Sequence, residues 1–589
     1  TEIYIRGEEG ALSTPPRIAE IAKEIEQTGI KGWDGLFWKN QYEAFQQFFH
    51  EKNLAPYFGS IDSLTRAMGD VSFDHQGRRI QGMRMQNTGD VYAVNGWEAM
   101  PYDNHSGIVD IYRNCKGNPS TFTYYTQPLY VAVSPRTQFV HLPGKVPVDF
   151  YIVNEKNLSG KYRLSVFVCT PDGKEGKHIE KEVHITGGDC FGQLLLEHCQ
   201  LEIEGVSGLY QVKAQLRNAS GHLCAEGKDE VLGIYWDKKQ LKGKGALYGT
   251  PDDPVATFYQ KATGCELPAF HSDIEKLDWI VVTRSSLDAP QPVPVEAFCQ
   301  KEGKSVLELS LYKDDDLRAL AGVTQDNKID RTFADGAQPD PLLPANQSFS
   351  AIWDGKLKAP QSGTYMIGVT SDQGMRLSVN GQRIVDEWRN NKELTVVRPF
   401  LLKAGDEVAV RVEYSQRNPT GSVQLVWSLP DHAAIAPQEL LDRVKEDGTS
   451  LLLLKSAESW MDAVSAYTGS AYHGYYSVGK NWVGGVHFVK EHPLFNGLPV
   501  NVAMGWPYQA LVRNGDRRLG LHIDNEELVA GSYGSAPFNL GSAVGIISCG
   551  KGKIYYSTLD LVDNLNNPAA AADVARKLFC NFILLSKDR

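Results

Sequence analysis

Between about residues 326 and 431 the period of the chain changes, and the same texture lies on both sides of the change. This nesting restricts the fold more than any single motif. Ahead of it, Gly245-Ala246-Leu247-Tyr248-Gly249 and Asp278-Trp279-Ile280-Val281-Val282 read as buried parallel strands with a helix between them, and 295–300 and 305–309 add a helix and a strand. Behind it, 438–445 is helical and Ser450-Leu451-Leu452-Leu453-Leu454 is another buried strand. Residues 543–547 and 553–557 then form a hairpin across Gly550-Lys551-Gly552, and 569–584 is a last helix. The stretch between is all strand and turn. The outer stretches therefore make one α/β domain and the inner one an inserted all-β domain, which is feasible where the insert's ends lie together at the surface.

The first 128 residues carry a second α/β pattern. Ile3-Tyr4-Ile5-Arg6 runs into Gly7-Glu8-Glu9-Gly10, and Val91-Tyr92-Ala93-Val94-Asn95 runs into Gly96-Trp97-Glu98. Between them, Pro15-Pro16 opens a helix with Ile18, Ile21, Ala22 and Ile25 on one face. A second helix covers 41–52 with Phe45, Phe48 and Phe49 inward, and 64–68 and 79–85 add helical turns. In a parallel barrel the carboxyl ends of the strands carry the chemistry, so acids there read as catalytic. Two βα units do not close a sheet; the remainder is expected in an upstream part of the barrel or in another subunit. From 129 short alternating runs at 129–133, 148–153, 162–168, 183–185 and 208–216 are spaced like a β-sandwich, ending before the lysine-rich linker 238–244.

A formal net charge of −11 argues against a nucleic-acid partner. No apolar run approaches the roughly 18 residues of a membrane span. The nine cysteines form neither a CxxC pair nor a zinc spacing; Cys190 and Cys199 either bridge adjacent strands or are scattered thiols. No phosphate loop, dinucleotide fingerprint or His-Glu-x-x-His helix is present, so no cofactor and no metal is expected.

The inserted stretch resembles a PA14 domain. The resemblance rests on Trp353-Asp354-Gly355, the turn and strand 360–365, Ser371-Asp372-Gln373-Gly374, Val379-Asn380-Gly381, Leu402-Lys403-Ala404-Gly405, Val412-Glu413-Tyr414 and Val426-Trp427-Ser428. It implies a β-sandwich often associated with carbohydrate recognition, in some adhesins through calcium held by paired aspartates. No such pair is placed here, and Asp372 sits in a turn that favours Asp for backbone reasons alone.

The N-terminal stretch resembles the end of the catalytic barrel of glycoside hydrolase family 2, in which the seventh strand ends in Glu, an aromatic and Gly. The resemblance puts the nucleophile at Glu8, with Glu9 where the aromatic usually stands, and makes Trp97 the floor of a sugar subsite. The segment 104–110 and the return Arg113-Asn114-Cys115-Lys116 match that family's exit from the barrel. The split α/β domain resembles class I glutamine amidotransferase-like domains, most clearly at His492-Pro493-Leu494-Phe495-Asn496-Gly497-Leu498-Pro499. Its elbow, Lys455-Ser456-Ala457-Glu458, lacks both the cysteine and the glycines of a nucleophile turn, which implies a non-catalytic packing or assembly module.

The expected fold class is multidomain α/β plus all-β. It comprises a partial (β/α) barrel at 1–128, an Ig-like β-sandwich at 129–240, and a flavodoxin-like α/β domain at 241–325 and 432–589 interrupted by PA14 at 326–431. The expected function is the C-terminal portion of a retaining β-glycosidase acting on an oligo- or polysaccharide. Glu8 is its nucleophile, and Trp97, Glu98, Glu9 and Asn104 bind substrate. The family's acid/base Glu lies on the fourth barrel strand, which this sequence does not contain, so the chain alone is expected to be inactive. The alternative is a non-catalytic carbohydrate-binding or scaffolding protein acting through PA14. Trp33, Trp38 and Tyr42 are candidates for an aromatic subsite or for helix packing. His105, His473, His487 and His492 read as structural. Family habit suggests a periplasmic or cell-surface location.

Overall fold

The computed structural model describes the chain except residues 1–4, 10–11, 31, 33, 88, 90, 95–106, 250–251, 272, 286–289, 302–303, 306, 430–436, 478–484, 513–518, 535–539 and 588–589. The side chains of 5–9, 94, 300–301, 304–305, 364, 399, 437, 477 and 519 are likewise outside the description. It forms two compact units, Thr1–Arg284 with Pro437–Arg589, and Ser285–Ala436.

In the first unit, β1 (Ile5–Glu9) is followed by α1 (Ile18–Thr28), α2 (Gly35–Glu51), α3 (Ile61–Gln86) and β2 (Val91–Val94). The turns expected at 64–68 and 79–85 are parts of one 26-residue helix, α3, capped by Ser60, whose hydroxyl accepts from the Ser63 N–H. β1 and β2 pair in parallel as a two-stranded sheet, so the expected partial barrel appears only as this pair; the described residues close no barrel.

The helices instead bury their apolar stripe on the far end of the sequence. Ile18, Ile21, Phe45, Phe49, Leu64 and Met68 share one core with Val486, Phe488, Leu528, Tyr533 and Leu540. A buried ion pair adds to it: Lys52 Nζ donates to Glu526 Oε1 at 2.9 Å, and Glu526 also accepts from Ser542 and Tyr556.

Residues 129–234 form the expected sandwich of a three-stranded and a five-stranded sheet. Two long strands that the alternation did not disclose, Gly192–Ile203 and Leu223–Ile234, complete it. All nine cysteines are free thiols.

The large mixed sheet of this unit contains β3 (Gly245–Tyr248), β4 (Trp279–Val282), β5 (Ser450–Leu453), β6 (Gly485–Val489), β7 (Glu527–Gly534), β8 (Leu540–Cys549) and β9 (Gly552–Ser557). The order is β3-β4-β5-β9-β8-β7-β6, parallel across the first four strands and antiparallel thereafter. The flavodoxin-like order expected here reverses after its first strand; among the described residues the parallel strands follow chain order without reversal. Fully buried four-residue strands carry no alternation to separate centre from edge. No helix of the described residues is long and apolar enough to cross a membrane.

The second unit packs a six-stranded sheet on a five-stranded one over a core that includes Leu309, Trp353, Tyr365, Leu377, Val412, Tyr414 and Trp427. Strand Leu307–Tyr312, expected with the α/β segment, pairs here with Phe349–Lys358. The helix expected at 295–300 is a single 3-10 turn, Val295–Ala297. Trp353 is 1% exposed and donates its indole N–H to Asp326 Oδ2 at 3.0 Å. Trp353→Ala is expected to cost this unit about 3–5 kcal/mol, read from urea unfolding of the variant against the parent.

Candidate functional site

β1 and β2 run in register with Ile5 opposite Val91, Arg6 opposite Tyr92 and Glu9 opposite Val94, with an irregularity between Arg6 and Glu9. Parallel strands end on the same edge of their sheet. Glu8 and Glu9 are thus the last residues of β1, at the edge from which the chain leaves β2. The side chains of Glu8 and Glu9 lie outside the described residues, as do Trp97, Glu98, Asn104 and His105 entirely. What the fold brings together is the two strand ends.

The segments leaving these strands meet again. Residues 108–116 form a tight hairpin, with Val109 bridged to Cys115 and Arg113 left-handed at φ 68°. Asp110 Oδ1 accepts from the Tyr112 and Asn114 N–H groups at 2.9 and 3.0 Å, which sets the turn. Asp110 Oδ2 accepts from the Arg17 N–H at 3.2 Å, satisfying a free donor at the start of α1. Arg17 forks onto Asp62 at 2.7 and 2.6 Å and reaches the Cys115 carbonyl at 3.1 Å. Lys116 is 1% exposed, and burial pulls its ammonium down to about 7 against the pull of Asp110.

Burial pushes the Asp110 carboxyl up to about 6 despite its N–H donors. The native state therefore holds this proton more tightly than the unfolded chain does. The contribution of Asp110 to stability is full below about pH 4 and is lost as pH rises through 6. Asp110→Asn is expected to flatten the stability slope between pH 4 and 7 by on the order of 2 kcal/mol, measured by denaturant titration at stepped pH.

A second strand edge lies in the mixed sheet. Ser456 follows β5 in the left-handed region at φ 52°. It lines a cavity of about 250 Å³ with Lys455, Glu458, Ser557, Asp560 and Asp563. Lys455 Nζ is paired to Asp563 Oδ1 at 2.7 Å. The lining thus sets hydroxyls and carboxylates around the elbow, groups that can hold a polar ligand.

Of the aromatic candidates, Trp38 is 1% exposed and donates to Asp34 Oδ2 at 2.9 Å, which makes it a packing residue; Trp33 lies outside the described residues. Tyr42 lines a cleft of about 380 Å³ formed by α1, α2 and the start of α3. His492 accepts from the Leu494 N–H as a helix cap, His473 pairs with Asp524 at 2.9 Å, and His487 is buried.

In the second unit Trp353 and Trp427 are core, and Asp372 Oδ1 accepts from the Ser422 N–H at 2.6 Å, joining two loops. Sequence reasoning passed over Trp388. Its indole N–H donates to Asp316 Oδ1 at 3.2 Å, and the Arg376 guanidinium lies 4.3 Å from its ring centroid. Arg417 ties this loop to its neighbours, donating to the Trp388 carbonyl at 2.7 Å and to Asp315 Oδ2 at 3.0 Å. The Asp314-Asp315-Asp316 run was the available signal. Among the described residues no cluster of three metal-ligating side chains forms.

Residues 303–440 match the family model of the PA14 domain. Over 117 residues the chain is 29% identical to the anti-sigma-I factor RsgI3 of Acetivibrio thermocellus, covering 20% of this chain and 18% of that protein. The chain thus spans less than a fifth of that relative's length. Among solved structures, a β-glucosidase from Kluyveromyces marxianus in complex with glucose is similar at 16% identity and TM-score 0.21, over 38% of this chain and 29% of that one. The epithelial adhesin 9 A domain of Candida glabrata, in complex with Galβ1-4GlcNAc, is similar at 12% identity and TM-score 0.18, over 24% of this chain and 90% of the other.

Proposed function

We propose that this PA14-containing chain is the C-terminal portion of a retaining β-glycosidase, with Glu8 as the nucleophile. The observation that carries the reading is the parallel register of β1 and β2, which sets Glu8 and Glu9 on the strand edge from which the segment holding Trp97, Glu98 and Asn104 departs. Enzymes of this kind place their chemistry on such an edge. An ionised Glu8 attacks the anomeric carbon, and the glycosyl–enzyme bond replaces the bond to the leaving oxygen. A second carboxyl about 5–5.5 Å away protonates that oxygen and then activates water. Glu9, Glu98 and Asn104 hydrogen-bond sugar hydroxyls, and Trp97 stacks on the apolar face of the ring. The mixed α/β domain acts as a packing or assembly module.

The test is labelling with 2-deoxy-2-fluoroglycosides, followed by peptide mapping, on this chain and on any longer form of the gene product. A sugar adduct on Glu8 in a form that also contains the second carboxyl is expected, with none in Glu8→Gln. An adduct on another residue, or none in either form, would overturn the assignment.

A competing reading, carbohydrate recognition without catalysis, draws on the end of the PA14 sandwich where Asp315, Asp316, Trp388 and Arg417 are tied together. Glycan binding by residues 285–436 alone, with no adduct on Glu8, would favour it.

A further inference from the structure

The cleft on the helical layer differs in chemistry from the cavity beside Ser456. Its volume, about 380 Å³, falls within the range of small-ligand sites. Its apolar floor is the half-buried Tyr42 ring beside the buried Phe49. Tyr42, Gln46, His50 and Asn53 follow one another along the exposed side of α2 and just past its end, and all four line the cleft. Their side-chain polar groups make no hydrogen bond or ion pair among the described residues. Asp62 is the one carboxylate of the lining, and the Arg17 fork already covers it at 2.6 and 2.7 Å. A charged ligand finds no counter-charge to spare. What remains is an aromatic face with a phenol, two amides and an imidazole around it, all donors and acceptors suited to hydroxyls.

We propose that this cleft is a carbohydrate-binding site for a neutral pyranoside ring, separate from the strand edge that bears Glu8. The apolar C–H face of the sugar lies on the Tyr42 ring, and Gln46, His50 and Asn53 take its hydroxyls. The inference rests on the carbohydrate reading above, but it makes no use of Glu8 or of the PA14 unit.

Saturation-transfer NMR and calorimetry on the full chain with neutral methyl pyranosides (gluco, galacto, manno and xylo) test it. Saturable binding of at least one is expected. Gln46→Ala, an exposed substitution that leaves packing intact, should weaken it about tenfold, and Tyr42→Ala at least as much, whereas Tyr42→Phe keeps most of it. Unchanged binding in Gln46→Ala and Tyr42→Ala, with native circular dichroism, overturns the proposal and places the sugar elsewhere. Loss of binding in Asp372→Ala instead does the same. An absence of saturable binding to any of the four sugars also overturns it, and leaves the glycosidase reading to be judged by the Glu8 adduct.

Discussion

Arg78→Met is expected to cost the first unit about 3–5 kcal/mol, more than any other single substitution in its interior considered above. Arg78 projects from α3, its Nη1 donating to Asp229 Oδ1 and Oδ2 at 2.6 and 2.8 Å and its Nε to Asp74 Oδ2 at 2.9 Å. Its guanidinium lies 5.7 Å from the Trp506 ring centroid, and the Gln138 amide oxygen accepts from it at 2.8 Å. One side chain thus joins the helical layer, the β-sandwich and the mixed α/β domain. Asp229 is only 7% exposed, and burial pushes its carboxyl up to about 6 even with Arg78 beside it. Removing the cation leaves that carboxyl buried without its partner, and the large term is the penalty of the orphan. Arg78→Met combined with Asp229→Asn should therefore recover a substantial part of the loss, a coupling that a double-mutant cycle in urea measures. A cost below about 1 kcal/mol for Arg78→Met would mean that the network is solvated and does not hold the parts together.

The second large effect concerns chemistry. In any form of the protein that turns over glycosides, Glu8→Gln is expected to lower kcat on the order of 10⁴-fold, because an amide cannot form the covalent intermediate. Stability should barely change, since the residue ends an edge strand. A truncated variant, Glu8→Gly, gives a discriminating readout with added azide: the small anion enters the space left by the side chain, displaces the leaving group at the anomeric carbon, and yields the glycosyl azide of inverted configuration. A structural role for Glu8 would give neither the intact fold nor the rescue. Glu9→Gln should act mainly on KM.

Several elements were legible because their chemistry is local. The helix start at Pro15-Pro16, the buried strands β3 to β5, the hairpin across Gly550 to Gly552 and the PA14 turns all announce themselves within a few residues. Other elements were hidden by glycines serving tertiary contacts. Gly69 and Gly77 divided α3 into fragments on paper, yet both are helical, and a Cβ at either would collide with the Lys116 carbonyl or the Tyr125 ring. Strand Gly192–Ile203 escaped notice because His198, at φ 51°, makes a bulge that breaks the alternation where the strand meets 148–150. In Leu223–Ile234, Gly227 replaces a side chain where the Val131 carbonyl approaches. At the candidate site, the strand ends bearing Glu8 and preceding Trp97 were readable from sequence. The clamp between Arg17, Asp62 and Asp110 was not, since it joins residues 45 and 93 positions apart.

The Lys52–Glu526 pair spans 474 residues of sequence. At ribosomal rates of about 5–20 residues per second, the apolar stripe of α1 and α2 waits roughly 25–95 s for the strands that will cover it. During that interval Ile21, Phe45 and Phe49 have no sheet to lie on. A premature stop just before β6 therefore leaves the apolar stripe of α1 and α2 uncovered, even though the sandwich and the PA14 unit have already been made.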